Sequence, residues 1–387
     1  MNRRTFIYST ALSAAHFGLI GLPSRVGAQE PGTLKVDIVA PDVPLSPMSM
    51  PGLFPGRVIE TTHGGAIVGN RISQPAVREM LDRGMQALVG GSTPEAAWST
   101  MFDSADIVGI KVNPSGTPTT VTSIPLIREV IRNLNAIGVP NRQIIVYDRN
   151  SNQMEAVGYH NMLPPGVRVV GLDRRWIIEH GTRAGYDPNV FCEMNCFGER
   201  ETRSYLASVV ASEVTKVINL PTLKEHNASG VTGCLKNLAY GSFNNVARTH
   251  VFPKTYTDPV IAIMCTAAPL RAKSVLHIMD GIRAVYHGGP FAWNPEFVWK
   301  ANMLLIGTDP VAVDRVELEI VEAKRKAMGA PSLWDRDPAN LGSSAEMQQT
   351  AHKNRFYREP GHIKTASELG LGRWELAQID HRRLQVG

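Results

Sequence analysis

Residues 107–113 read IVGIKVN, a short apolar run that carries Lys111 and ends in the polar residue Asn113. A run of this length that is apolar at nearly every position is typical of a strand in a sheet that is covered on both faces. Similar runs occupy residues 144–147, 167–172, 217–220, 275–279 and 303–306. Stretches with helical spacing of apolar residues lie at 123–137, 205–213, 231–240 and 310–328. The alternation predicts an α/β fold, a largely parallel or mixed sheet with helices on both faces in Rossmann-like layers.

The first 28 residues have the order of a secretory signal. They begin with Arg3-Arg4-Thr5, continue through a weakly apolar stretch and end in the small residues Val-Gly-Ala. The arginine pair resembles the twin-arginine pattern. We therefore expect export by the twin-arginine (Tat) machinery, cleavage after Ala28 and a periplasmic or otherwise exported protein.

The chain after the leader is expected to have three parts, which differ in proline, glycine and polar content. Residues 29–72 are rich in both and are expected to form an extended N-terminal arm over the surface. Residues 73–329 are expected to form the α/β core. The more polar residues 330–387 are expected to be a C-terminal extension packed on that core.

Composition excludes several classes of protein. Of the 387 residues, 43% are hydrophobic and 19% are charged, as in an ordinary globular protein. The net charge is +5, and removing Arg3, Arg4 and Arg25 with the leader leaves 37 basic against 35 acidic side chains, or +2. A chain this close to neutral has no general attraction for nucleic acid. No other stretch is long and apolar enough for a membrane span, so none is expected after cleavage.

Common motifs for metals and catalysis are missing. The four cysteines, Cys192, Cys196, Cys234 and Cys265, form no C-x-x-C pair, so neither a zinc ribbon nor an iron–sulfur site is supported. Cys192 and Cys196 suit either a disulfide after export or two buried thiols. The H-E-x-x-H, G-x-S-x-G and strand-linked G-x-G-x-x-G motifs do not occur.

Polar residues follow the apolar runs, and in such a sheet ligands bind beyond the carboxyl ends of the strands. The richest stretch is residues 220–240, LPTLKEHNASGVTGCLKNLAY. His226 has an unperturbed pKa near the working pH and suits an acid/base role, while lysines and a helix start suit a carboxylate or phosphate. The candidate catalytic residues are His226, Lys236 and Lys224, and the candidate ligand-binding residues are Lys111, Asn113, Arg149, Gly230, Thr232, Gly233 and Asn237.

Asp280 and Asp309 follow two further runs and are the candidates for metal ligands. Simpler local roles compete with these assignments. Asp309 would cap a helix that starts at Pro310, and Asp280-Gly281 would form a turn. His226 and Lys236 would be solvated surface side chains.

The order of these segments resembles a known family. IVGIKVN at 107–113, VINLPTLKEHNASGVTGCLKNLAY at 217–240 and LIGTDPVAVDR at 305–315 look like the conserved-domain family of unknown function numbered 362. The resemblance runs from about residue 106 to residue 316. Its most specific part is Lys-x-His followed by Gly-x-Thr-Gly-x-x-Lys-Asn. Some members carry ferredoxin-type cysteine motifs, which this chain lacks, and the family implies no settled activity.

A fainter similarity is to lactate racemase and its relatives, which have a histidine ten residues before a lysine in a glycine-rich loop. Here the pair is His226 and Lys236. In those racemases such a lysine holds a nickel pincer cofactor and the histidines move protons. Residues 113–116, NPSG, replace the acidic and arginine turn of the racemases. The similarity therefore implies a fold and a site position, and it leaves cofactor and substrate unknown.

Our leading hypothesis is an exported α/β protein that binds a small anionic ligand and acts on it as an acid/base enzyme, for example an isomerase or racemase. One alternative is a non-catalytic binding or assembly factor for an exported redox complex, and another is a metal-dependent enzyme. A ligand site requires Lys224, His226 and Lys236 to face one cleft, whereas a docking factor would scatter them. Substrate, cofactor and oligomeric state are not assigned.

Overall fold

The computed structural model describes residues 1–9, 33–173, 185–291 and 293–387. The strands in these ranges are β1 (Asn2–Ser9), β2 (Thr33–Ala40), β3 (Arg57–Thr62), β4 (Ile67–Val68), β5 (Arg71–Ile72), β6 (Val108–Lys111), β7 (Ile144–Asp148), β8 (Arg168–Gly171), β9 (Tyr186–Met194), β10 (Arg203–Ala207), β11 (Lys216–Asn219), β12 (Thr222–His226), β13 (Gly230–Val231), β14 (His250–Val251), β15 (Lys254–Thr255), β16 (Ser274–Val285), β17 (Val298–Gly307) and β18 (Asp380–Gln385). The α-helices are α1 (Gln74–Val89), α2 (Pro94–Ser99), α3 (Ile124–Ala136), α4 (Ser151–Val157), α5 (Tyr159–Met162), α6 (Gly233–Ser242), α7 (Thr257–Cys265), α8 (Ala268–Lys273), α9 (Pro310–Ala327), α10 (Ser344–Gln349) and α11 (His362–Glu368).

A mixed sheet of ten described strands forms the centre of the protein. Its order is β18, β3, β17, β16, β11, β6, β7 and β8, with β12 attached beside β16 and β13 beside β12. The strands β16, β11, β6, β7 and β8 are parallel. In contrast, β17 is antiparallel to both β16 and β3. The expected α/β fold with a largely parallel or mixed sheet is confirmed.

Helices cover both faces of this sheet. On one face, α1, α2 and α3 bury apolar residues such as Leu81 and Val130. On the other, α6, α7, α9 and α11 pack together and bury residues such as Leu238 and Val313. The apolar residues of α3 recur every three or four positions, which places them on one side of the helix. This covering on both faces explains why the parallel strands are mostly apolar.

Helix boundaries follow the local chemistry in most places. Asp309 caps α9, since its Oδ1 accepts the Ala312 N–H at 2.9 Å, and Pro310 takes the first helical position. The helix expected at 205–213 is wrong. That stretch contains the end of β10 and a π-helical turn, Val209–Glu213. Pairing of β10 with β9 overrides the local helical pattern.

The N-terminal part differs from the expected surface arm. β2 belongs to a separate four-stranded sheet of β1, β2, β9 and β10, and its Val36 and Ile38 are buried. β3 lies inside the main sheet, with Val58 and Ile59 fully buried. The core therefore begins before residue 73. The side chains of these strands are buried because helices pack on them, α1 on β3 and α7 on β2.

The first residues of the expected leader form β1, which pairs with β2. The Arg3 guanidinium donates to Asp37 Oδ2 at 2.6 Å. The apolar stretch and the cleavage site expected at 10–28 lie outside the described residues. Among the residues that are described, no helix has the length and apolar character needed to cross a membrane.

The C-terminal residues are tied closely to the core. α11 packs against α7 and α9, and β18 extends the main sheet beside β3.

Of the two possibilities for Cys192 and Cys196, a disulfide or two buried thiols, the structure has buried free thiols. Burial in apolar surroundings raises the pKa of the Cys196 thiol to about 12, so it is protonated near neutral pH.

Candidate functional site

A pocket of about 360 Å³ opens at the carboxyl ends of β6 and β7, beside β12 and α6. This volume suits a small molecule. Its walls include six residues singled out from the sequence: Asn113, Arg149, Lys224, His226, Thr232 and Lys236. A recess of about 50 Å³ adjoins it, with Asp148 and Asn237 in its wall. Segments more than a hundred residues apart in sequence therefore meet around one cavity.

Lys111 lies beneath the pocket and is fully buried. Its Nζ donates to Val112 O at 2.6 Å, to Asp148 Oδ2 at 2.5 Å and to Asn237 Oδ1 at 3.2 Å. Burial lowers the pKa of Lys111, and the Asp148 carboxylate acts in the opposite direction. The three acceptors use the three hydrogens of an ammonium group. Lys111 therefore positions Asp148 and Asn237 and leaves no hydrogen for a ligand.

The hydrogens of the Lys224 ammonium group are likewise all used within the protein. Its Nζ donates to Asn113 Oδ1 at 2.8 Å, to the Ser115 carbonyl and, more weakly, to Thr120 O at 3.5 Å. Burial lowers the pKa of Lys224 to about 7, while the three oxygen partners favour the ammonium form. Its main role is to hold the loop that follows β6 at the edge of the pocket.

Lys236 is different from these two lysines. It projects from α6, is partly exposed and lies over the Tyr240 ring, with Nζ 5.1 Å from the ring centroid. Within the described residues, neither Lys236 nor Arg149 has a hydrogen bond or an ion pair. Burial, followed by repulsion from Arg149 and Lys224, lowers the pKa of Lys236 to about 7. Near neutral pH a large share of Lys236 is therefore an uncharged amine.

His226 faces the same pocket from β12. Its Nδ1 accepts the N–H groups of Ala228 at 3.1 Å and Ser229 at 3.4 Å. An accepting Nδ1 places the proton of the neutral ring on Nε2. Burial lowers the pKa of His226 well below its usual value, and the positive charge of Lys236 adds to the effect. His226 is therefore a neutral hydrogen-bond donor.

The start of α6 does not offer the anion site that its sequence suggested. The N–H groups of Cys234 and Leu235 donate to the carboxylate of Asp314 on α9. A Cβ atom at Gly233 would lie 2.6 Å from that carboxylate, so the glycine permits the contact. The chain's own Asp314 thus takes the place expected for an external anion.

Two other residues that were predicted to bind a ligand contact other parts of the protein instead. Gly230 lies in β13, where a Cβ atom would be 2.8 Å from Pro360, and it does not line the pocket. Asn237 Oδ1 accepts from Asn113 Nδ2 at 3.0 Å, and Asn237 Nδ2 donates to Asn219 Oδ1 at 2.7 Å. This chain of amides joins α6 to the ends of β6 and β11.

Asp280 and Asp309 are not brought together as metal ligands. Asp280 accepts the N–H groups of Ser123 at 2.8 Å and Ile282 at 3.1 Å. Asp309 follows β17, which runs antiparallel to β16. It therefore lies near the amino ends of the parallel strands, whereas the pocket lies at their carboxyl ends. Across the described ranges, no group of three or more His, Cys, Asp or Glu residues could hold a metal ion. The Lys236 amine, which lines the pocket, is the group that would hold a covalently bound cofactor.

Several pocket residues have no signal in the sequence. His250, Gln153 and Phe291 line the cavity, yet none follows an apolar run at the pocket edge. His250 lies beside His226, with ring centroids 5.7 Å apart. Gln153 lies on α4, His250 on β14 and Phe291 in the segment after β16, so the tertiary fold brings them to the pocket.

Comparisons with known proteins give a family and a distant structural likeness. The family model described as a domain of unknown function (DUF362) matches residues 108–319, more than half of the chain. No curated protein matches. A crystal structure of a Thermotoga maritima protein is 8% identical, with a TM-score of 0.37; the match covers 67% of this chain and 60% of that one. On the extent of the family match, the chain belongs to the DUF362 family.

Proposed function

We propose that the protein binds a small anionic molecule in this pocket and performs acid–base chemistry on it. The observation that carries the proposal is the pair Arg149 and Lys236. Both line the pocket, and in the described part of the chain neither has an anionic partner. Basic groups that face a cavity without a counter-ion favour a negatively charged ligand. Lys111 and Lys224 add positive charge nearby, although their hydrogens are used within the protein.

The roles that the geometry favours differ from those expected from the sequence. Arg149 presents a planar guanidinium that can bind a carboxylate through two hydrogen bonds. With a pKa of about 7, Lys236 can both accept and donate a proton near neutral pH. His226 would donate a hydrogen bond from neutral Nε2 to a carbonyl or hydroxyl oxygen. The set suits removal and return of a proton beside a carboxylate, as in an isomerase or racemase.

The arrangement also bears on the alternative of a docking factor. Lys224, His226 and Lys236 surround one cavity instead of being scattered over the surface. That placement supports ligand binding over a role confined to protein assembly. The metal-dependent alternative has less support, because Asp280 and Asp309 are engaged by backbone N–H groups.

Calorimetric titration with oxalate, phosphate and lactate tests the proposal. We expect at least one of these anions to bind, and Arg149→Met and Lys236→Met each to weaken its binding by about tenfold or more. Lys324→Met is a matched control, because Lys324 is also partly exposed and lies over an aromatic ring, 5.8 Å from the Tyr286 centroid, outside the pocket. Failure of all three anions to bind, or equal binding by the pocket variants and the control, would overturn the proposal.

We also propose that the protein is exported by the Tat machinery, on the basis of Arg3 and Arg4. Replacing both with lysine should retain the protein inside the cell while preserving its positive charge. Fractionation followed by immunoblotting measures this. Unchanged export of the double variant would count against a twin-arginine signal.

A further inference from the structure

We infer that Lys236 forms a covalent imine with small carbonyl acids, of the 2-oxo acid or aldehyde acid class, that enter the pocket. The inference rests on the proposed function, because the same pocket must bind the carboxylate of such an acid. It goes beyond that function by naming the carbonyl as the group that reacts and Lys236 Nζ as the atom that attacks it.

The first argument is that the Lys236 amine is available. The protein holds three lysines around this cavity, and two of them donate to three oxygens each. Lys236 Nζ has no hydrogen bond or ion pair within the residues that the structure describes. The helix that carries it is held at its start by Asp314, which fixes the backbone from which Lys236 reaches the pocket wall.

The second argument is electrostatic. Only the uncharged form of an amine attacks a carbonyl carbon. Burial, and then the positive charge around Lys236, favour that form and lower the pKa of Lys236 to about 7. The charged and titratable groups near Lys236 are Lys111, Asp148, Arg149, Lys224, His226, Tyr240, His250 and His362. Burial raises the pKa of Tyr240, so its hydroxyl stays neutral. Asp148 is the single carboxylate in this set, and it is already paired with Lys111.

The third argument is that the other pocket residues suit the rest of the molecule. Arg149 can bind the carboxylate, which turns the neighbouring carbonyl towards the amine. His226 Nε2–H can donate to the carbonyl oxygen and make its carbon more electrophilic. A cavity of about 360 Å³ has room for an acid of this kind.

The reaction balances without an oxidant or a reductant. The lone pair of Nζ forms a bond to the carbonyl carbon, the carbonyl oxygen gains a proton and the nitrogen loses one, which gives a carbinolamine. The carbon–oxygen bond then breaks, and the hydroxyl group leaves as water after it takes a second proton. Nitrogen releases its last proton, and the carbon–nitrogen double bond remains. One amine and one carbonyl thus give one imine and one water.

Reductive trapping with glyoxylate and cyanoborohydride tests the inference. Hydride from the reagent converts an imine at Lys236 into a stable carboxymethyl amine, which peptide mass spectrometry locates. At pH 7 about half of Lys236 is uncharged, against less than ~0.1% of an ordinary exposed lysine, so Lys236 should be labelled well before Lys300 and Lys364. Oxalate, which has no reactive carbonyl, should protect Lys236 and leave the exposed lysines unprotected.

Two variants test whether Lys236 is the lysine that is trapped. Lys236→Arg should lose trapping at this position and still bind oxalate, because it keeps the charge and loses the nucleophile. Lys324→Arg should be trapped at Lys236 as the wild type is. The trapping rate should rise with pH through about 7, whereas oxalate affinity should fall over the same range as Lys236 loses its charge.

The outcomes separate the two proposals. Labelling spread evenly over exposed lysines, without protection by oxalate, overturns the inference even if Lys236→Arg does not fold. Oxalate binding without trapping at Lys236 overturns the imine and leaves the anion site in place. Absence of trapping, together with failure of oxalate, phosphate and lactate to bind, overturns both proposals.

Discussion

Arg358 Nε donates to Glu225 Oε1 at 2.8 Å, and both side chains are buried. Glu225 lies on β12 between Lys224 and His226, so a residue of the C-terminal extension is bound directly to the strand that supplies two pocket residues. The second oxygen of Glu225 accepts the Gly289 N–H at 2.8 Å, just before Pro290 and Phe291 in the pocket wall. One carboxylate thus joins the extension, the strand and the wall.

Removing one partner of this pair should destabilise the protein strongly. Arg358→Met leaves a buried carboxylate without its cation, and we expect the free energy of unfolding to fall by about 3–5 kcal/mol. Arg336→Met is the control, since Arg336 pairs with Glu359 at 3.4 Å near the surface and should cost less than about 1 kcal/mol. Chemical denaturation measures both values. Equal small losses would show that Arg358 does not anchor β12.

Gly241→Ala should disturb the floor of the recess. A Cβ atom there would lie 2.0 Å from Lys111 Cε, so Lys111 would have to move away from Asp148 and Asn237. We expect a loss of about 1–3 kcal/mol in the free energy of unfolding and weaker binding of any anion found for the pocket. Gly64→Ala, where no atom lies within 4 Å of the added Cβ, should change neither quantity. Unchanged stability of Gly241→Ala would contradict the observed packing.

Lys236 should affect stability in a way that depends on pH. Its pKa falls from the usual 10.5 to about 7 on folding, so between these values the unfolded chain binds more protons and stability rises with pH. Below about pH 7 the folded protein bears the full cost of a charged Lys236, and above about 10.5 that cost is gone. Lys236→Met should therefore gain stability relative to the wild type most at pH 6, and the difference should shrink by pH 9. Denaturation at both pH values measures it, and a difference that does not vary with pH would exclude the lowered pKa.

Asp309→Ala should separate stability from ligand binding. Asp309 accepts N–H groups from Ala312, Gly56 and Arg373, so its loss should cost about 1–3 kcal/mol. Because it lies across the sheet from the pocket, the dissociation constant for a pocket anion should stay within about twofold of the wild-type value. Calorimetry and denaturation on the same sample test both expectations. If the folded variant lost anion binding, Asp309 would have a role in the ligand site after all.

The local pattern of the chain was enough for most of the central sheet. The apolar runs at 107–112, 144–147 and 217–220 correspond to β6, β7 and β11, and Asp309-Pro310 marks the start of α9. These features depend on neighbouring residues, because apolar periodicity and helix caps act over a few positions. β3 was missed because a short strand among prolines and glycines has little local signal, and only its partners β17 and β18 show that it is inside.

By itself, the sequence determined the α/β fold and several of the segments that meet at the pocket, because the apolar runs and their polar ends follow from local chemistry. Tertiary structure decided which partners each basic side chain of the pocket has, and therefore whether it can bind a ligand. Lys111 and Lys224 find three oxygens each, Asp314 closes the start of α6, and the reversed direction of β17 moves Asp309 to the far edge. Partners that are distant in sequence set the desolvation and hydrogen bonding of these groups. Among the lysines and arginines described around the pocket, Lys236 and Arg149 keep hydrogens that a ligand can use.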